Sequence, residues 1–132
     1  MTEIVIDTSA IVAVITDAPE KAALIRITED AALVAPSSVH WEVGNAFSAM
    51  IRRGRLTSEL AGRAIEIYES IPIRFVDVSL TASLAIASEH RLYAYDAYLI
   101  ECSRARRGPL LTLDRALARV AAKMMIDVVE VS

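Results

Sequence analysis

Four acids in this chain stand where a carboxylate can do chemistry. Asp7 follows the apolar run Ile4-Val5-Ile6, Asp114 follows Leu111-Thr112-Leu113, and each directly precedes a helix-like segment. In a parallel sheet the strand ends share one edge, which is where open α/β folds bind ligands. Aspartate is also a favoured helix N-cap, and the structural use does not exclude the chemical one. Glu42 lies on a segment whose apolar stripe is Val39, Val43, Ala46, Phe47 and Met50. At about 100° per residue it falls on the flank of that stripe, with Asn45 one turn on. Asp96 opens the segment Asp-Ala-Tyr-Leu-Ile-Glu-Cys-Ser-Arg, apolar on most sides of its first turns. Two carboxylates about 4 Å apart repel by about 4 kcal/mol at an effective dielectric of 20. Four that converge therefore persist only around a cation or with some of them protonated. Mg²⁺, with Mn²⁺ as a substitute, suits an all-oxygen donor set. No cysteine or histidine set has zinc spacing.

These acids need a scaffold, and strand-like and helix-like segments alternate as in an α/β fold with a mostly parallel sheet. Strands are expected at residues 4–6, 32–35, 72–76, 110–113 and 128–131, the last closing a five-stranded sheet. Helices are expected from Asp7-Thr8-Ser9 to about Thr16, from Pro19 to about Thr28, and from Ser37 or Ser38 to about Arg53, where Gly54 stops the turn. Further helices run from Thr57 or Ser58 to about Ser70, Ser79 to about His90, Asp96 to about Arg107, and Asp114 to about Lys123. No repeat, linker or composition shift divides the 132 residues, so residues 1–132 are read as one domain.

Composition narrows the class. With 55% apolar and 5% aromatic residues, closely packed helices and short buried strands are favoured over disorder. No apolar run approaches the ~18 residues of a membrane span, and no targeting segment precedes the first strand. The single cysteine, Cys102, rules out an internal disulfide and fits a reducing cytoplasm; its apolar surroundings point to core packing. A net charge of −3 argues against a whole-surface nucleic-acid binder. Two arginine clusters do stand out: Arg52, Arg53 and Arg55, and Arg104, Arg106 and Arg107. Each falls at an expected helix end. There the charge either complements the helix dipole or contacts RNA phosphates.

Taken in order, Asp7-Thr8-Ser9-Ala10, Glu42-Val43-Gly44-Asn45, Tyr95-Asp96-Ala97 and Thr112-Leu113-Asp114 resemble the signature pieces of the PIN-domain ribonucleases, in particular VapC-type toxins of toxin–antitoxin pairs. The resemblance spans essentially the whole chain. It implies a parallel five-stranded sheet flanked by helices, a homodimer, and inhibition by an antitoxin protein. It further implies that Asp7, Glu42, Asp96 and Asp114 bind the metal of an Mg²⁺-dependent endoribonuclease. Thr8 or Ser9 and Thr112 would be supporting hydroxyls, and Asn45 a hydrogen-bonding support. Its substrate would be RNA with an exposed loop, such as transfer RNA or a ribosomal RNA loop. One departure is Met124-Met125-Ile126-Asp127, where a glycine turn is usual in the family.

Two other readings compete. A non-catalytic PIN-like RNA-binding module would keep the fold without the chemistry. A receiver-like aspartyl-phosphate domain also sets aspartates at strand ends, but needs a lysine near a late strand, and Lys21 and Lys123 are badly placed. Trp41, about 180° from the apolar stripe, is expected at a surface that a neighbouring helix, a second subunit or a partner covers.

Overall fold

The structure is a computed structural model describing residues 2–132. β1 (Thr2–Ile6), β2 (Ala31–Pro36), β3 (Ile73–Val76) and β4 (Leu110–Leu111) form one parallel sheet in the order β3-β2-β1-β4. Seven helices among the described residues connect and flank it: α1 (Thr8–Ile15), α2 (Lys21–Thr28), α3 (Ser38–Arg52), α4 (Ser58–Ser70), α5 (Leu80–His90), α6 (Ala94–Arg106) and α7 (Arg115–Lys123). α1 packs on α2, α3 and α4, while α6 lies across β1, β2 and β4 and carries α5. Covering helices explain why Ile4, Val5 and Ile6 are buried consecutively rather than alternately. The stripe of α3 goes inward as its spacing requires, with Val39, Val43 and Phe47 buried.

The caps are chemical as well as positional. Asp7, Thr57, Ser79 and Asp114 each accept a hydrogen bond from a first-turn N–H of the helix that follows. Gly54 takes φ +70, the left-handed conformation that ends α3 without strain. Beside β1, Gly108 approaches closely, and a Cβ there would stand 3.2 Å from the Glu3 carbonyl oxygen, so the backbone would have to give by a few tenths of an ångström.

Three expectations are corrected. The sheet has four strands, because β4 is only two residues long before the backbone turns away. The segment 128–131 meets it at one residue alone: Leu110 N–H donates to Asp127 O at 2.8 Å, and Val129 N–H to Leu110 O at 2.9 Å. α2 starts at Lys21 rather than Pro19, since Lys21 N–H still turns back onto Ala18 O. α6 starts at Ala94, so Asp96 lies inside its first turn instead of capping it. At the Met124–Asp127 turn, Met125 takes φ +63 and is almost fully exposed, a methionine in a glycine conformation. No described helix is long and apolar enough to cross a membrane.

Candidate active site

β1 is central, with β2 and β3 on one side and β4 on the other, so the order of the parallel strands switches between β1 and β4. Such a switch point opens a crevice at the carboxyl ends of the strands, and Asp7 and Asp114 stand on its two sides. Asp7 is buried, 5% exposed, and fully engaged. Its Oδ1 accepts from Ser9 Oγ at 2.6 Å and Ala10 N–H at 3.2 Å, and its Oδ2 from Thr112 Oγ1 at 2.5 Å. The same hydroxyls tie the two turns together. Ser9 Oγ accepts from Leu113 N–H at 2.9 Å, and Thr112 Oγ1 accepts from Asp114 N–H at 3.0 Å. Burial holds the Asp7 carboxyl above its ordinary range; the hydrogen bonds pull it back and the Asp114 charge adds to the rise.

Glu42 reaches the same place from α3. Its Oε2 accepts from Thr8 Oγ1 at 3.0 Å, whereas its Oε1 is buried with no hydrogen-bond partner. Burial raises its proton affinity, the Thr8 bond opposes the rise, and the charges of Asp7 and Asp96 reinforce it. Asp96 is half-buried and likewise raised, first by burial and then by Asp114 and Asp7. Asp114 is exposed and accepts at Oδ1 from Ala116 N–H at 2.9 Å and Leu117 N–H at 3.2 Å. Capping and membership of the cluster coincide in it.

The four acids thus lie within range of one another's charges, and no arginine or lysine enters the surroundings that shift Asp7, Glu42 or Asp96. Among the described residues, no three acid, histidine or cysteine side chains already stand as close as the ligands of a bound ion. Uncompensated carboxylates gain nothing by closing further on one another. The donor set fits a hard divalent cation, being all oxygen, with the buried Oε1 of Glu42 lacking any partner.

The supporting residues divide. Thr8, Ser9 and Thr112 hydrogen-bond the acids, but Asn45 is exposed and makes no hydrogen bond to them. Arg52, Arg53 and Arg55 are exposed at the far end of α3, with Arg52 about 15 Å along the axis from Glu42 at 1.5 Å per residue. The second arginine cluster lies at the opposite sheet edge, and two of its members are engaged. Arg104 Nε and Nη2 grip Glu101 at 2.6 and 2.7 Å, and Arg106 Nε and Nη2 grip Glu3 at 2.9 and 2.7 Å. Arg107 closes α6 in a left-handed conformation. Cys102 is buried, and burial pushes its thiol up to about 11, as core packing requires. Trp41 is 71% exposed on the outer face of α3. The sequence reading missed Asp77, although it follows β3 as Asp7 follows β1. It also missed Ser38, one turn before Glu42 on the same helix face.

A family model for the PIN domain matches residues 4–123. PAE2754 from Pyrobaculum aerophilum superposes with TM-score 0.72 at 26% identity, covering 90% of this chain and 86% of that one. VapC20 from Mycobacterium tuberculosis, described as a sarcin–ricin loop cleaving toxin, gives 0.64 at 16% identity, with 88% and 93% covered. VapBC2 from Rickettsia felis, solved bound to a DNA fragment of its promoter, gives 0.64 at 14% identity, with 90% and 93% covered. No curated protein sequence matches the chain.

Proposed function

The chain belongs to the PIN domain family, and from that premise we propose that it is an Mg²⁺-dependent endoribonuclease, the toxin of a toxin–antitoxin pair. The observation that carries this reading is the convergence of Asp7, Glu42 and Asp96 with Asp114, with no basic residue among the charges that shift the first three. Those four would hold the cation. When bound, it lowers the pKa of a water and neutralises charge on the transferring phosphate. The protein's own part is positional. Ser9 and Thr112 fix both Asp7 oxygens, Thr8 fixes Glu42 Oε2, and Oε1 is left free to face the incoming group. Burial and the neighbouring acids raise the proton affinity of Glu42 and Asp96 in the metal-free protein, a rise that a cation held between them would offset.

The likeness to VapC20, a sarcin–ricin loop cleaving toxin, supports an exposed RNA loop as substrate, and we propose a ribosomal RNA or transfer RNA loop. The likeness to VapBC2 also supports an antitoxin protein as partner; a homodimer in the cytoplasm is the working form we propose. The exposed Trp41 is a surface for either protein contact. Purified protein incubated with a sarcin–ricin-loop RNA and with transfer RNA should cut at least one of them in Mg²⁺ and stop on chelation. Cleavage that continues in excess chelator, or none of either RNA by freshly metallated protein, removes the reading.

A further inference from the structure

A cavity of about 270 Å³ opens at the same sheet edge, where β2 and β3 end. Pro36, Val76 and Leu80 give it apolar walls, Tyr98 of α6 adds an aromatic ring, and Ser38 and Asp77 supply polar groups. Ser38 Oγ is buried with no hydrogen-bond partner. Ser38 precedes Glu42 by four residues on α3, so the two side chains neighbour each other on one face, about 5–6 Å apart at Cβ. Ser38 lines the cavity and Glu42 belongs to the acid cluster, and each carries a buried oxygen without a hydrogen-bond partner, one helical turn apart. Asp77 is exposed and takes part in none of the salt bridges among the described residues.

We propose that this cavity is a guanine subsite for the nucleotide beside the scissile phosphate, an assignment that rests on the nuclease reading above. Apolar walls and an aromatic ring suit the flat face of an unstacked base. The free carboxylate repels phosphate, so the cavity takes the base and leaves the backbone to the acid cluster and its cation. Guanine alone offers two adjacent N–H donors, N1 and N2, on its Watson–Crick edge, matching the two oxygens of Asp77 as a bidentate pair. Adenine, cytosine and uracil each present a single donor group with an acceptor beside it, and that acceptor would face a carboxylate oxygen.

Titrating metal-free protein with GMP, AMP, CMP and UMP, while following the methyl resonances of Val76 and Leu80, tests the assignment without catalysis. The four ligands carry the same phosphate, so differences report the base. GMP should bind about tenfold more tightly than the others. Asp77→Asn should erase that preference, and Tyr98→Phe should keep it. Equal affinity for all four, discrimination untouched by D77N, or methyl shifts that follow protein concentration instead of nucleotide (a second copy filling the cavity) each overturn the subsite. Guanine preference in a protein that cuts no RNA removes the nuclease reading and leaves the subsite standing. RNA cleavage with no preference for guanine sites does the reverse.

Discussion

Strand β1 carries one carboxylate near its start and another just past its end, and the two live in opposite surroundings. Glu3 meets Arg106, which grips both its oxygens and holds its carboxyl below the ordinary range. Asp7, four residues on, is buried among hydroxyls and other acids, and burial holds its carboxyl above that range. The helix α6 repeats the contrast. Its first turn offers Asp96 to the acid cluster, while its last turns supply Arg104 to Glu101 and Arg106 to Glu3. Charge at the amino edge of the sheet is neutralised within the chain. At the carboxyl edge it is left for something from outside.

The largest effect expected from this contrast is on cleavage. Asp7→Asn or Asp96→Asn should lower RNA cleavage by about 100-fold or more, since outer partners of a metal site alone cost ~10–100-fold. Unfolding of the metal-free variant should need as much urea as the wild type, or more, because a repelling charge has gone. Glu3→Gln should do the opposite, lowering the urea midpoint and sparing the cleavage rate. If the Asp7 and Glu3 variants behave alike, the division between the two edges fails.

Cation binding comes next. At a hundredfold excess over its Kd, Mg²⁺ should stabilise the fold by about 2.7 kcal/mol, read as a rise of several degrees in Tm. Asp96→Asn should abolish that rise, and Glu3→Gln should leave it intact.

Proton linkage should separate the edges by sign. Asp7, Glu42 and Asp96 have raised pKa values, so their stabilising protonation is complete below the ordinary carboxylate range and is lost as pH climbs through the raised values. Glu3 is lowered, so its contribution is present above the ordinary range and is lost as pH falls through the lowered value. Metal-free protein should therefore gain stability on acidification from neutrality, then lose it near the bottom of the carboxylate range. Urea midpoints at a series of pH values measure this; a midpoint that falls steadily from pH 7 contradicts the raised values.

The smallest effect lies outside both edges. Met125 occupies a left-handed conformation that costs a non-glycine residue about 1–2 kcal/mol, partly offset by the extra freedom glycine gains on unfolding. Met125→Gly should raise stability by roughly 0.5–1 kcal/mol and change neither metal response nor cleavage.

What could be read in advance follows from how local each cause is. Asp7, Thr57, Ser79 and Asp114 were legible as caps because their partners lie two or three residues on. The strand-end aspartates and the flank position of Glu42 were legible from periodicity. Arg106 was not, because its partner Glu3 is 103 residues away and nothing near either residue announces it. The last strand failed for a related reason. Residues 128–131 look like a strand, but pairing needs a neighbour, and β4 has only Leu110 left to offer. Asp96 misled by type, since an acid at a helix start reads as a cap while Tyr93 holds that place. Glu101 was hidden inside an apolar run, where only its arginine three residues on explains how a carboxylate is buried.

The Thr112 hydroxyl that holds Asp7 Oδ2 belongs to a residue 105 positions further along the chain. Ribosomes add about 5–20 residues per second, so roughly 5–20 s pass between the two. Throughout that interval β1, the central strand, has no β4 to pair with on one side, and Asp7 lacks both Thr112 and its neighbour Asp114. The acid cluster cannot be complete until Asp114 has been made, after all of α1 to α6. A nascent chain still in the exit tunnel carries the fold's first strand and its first aspartate, but no finished site.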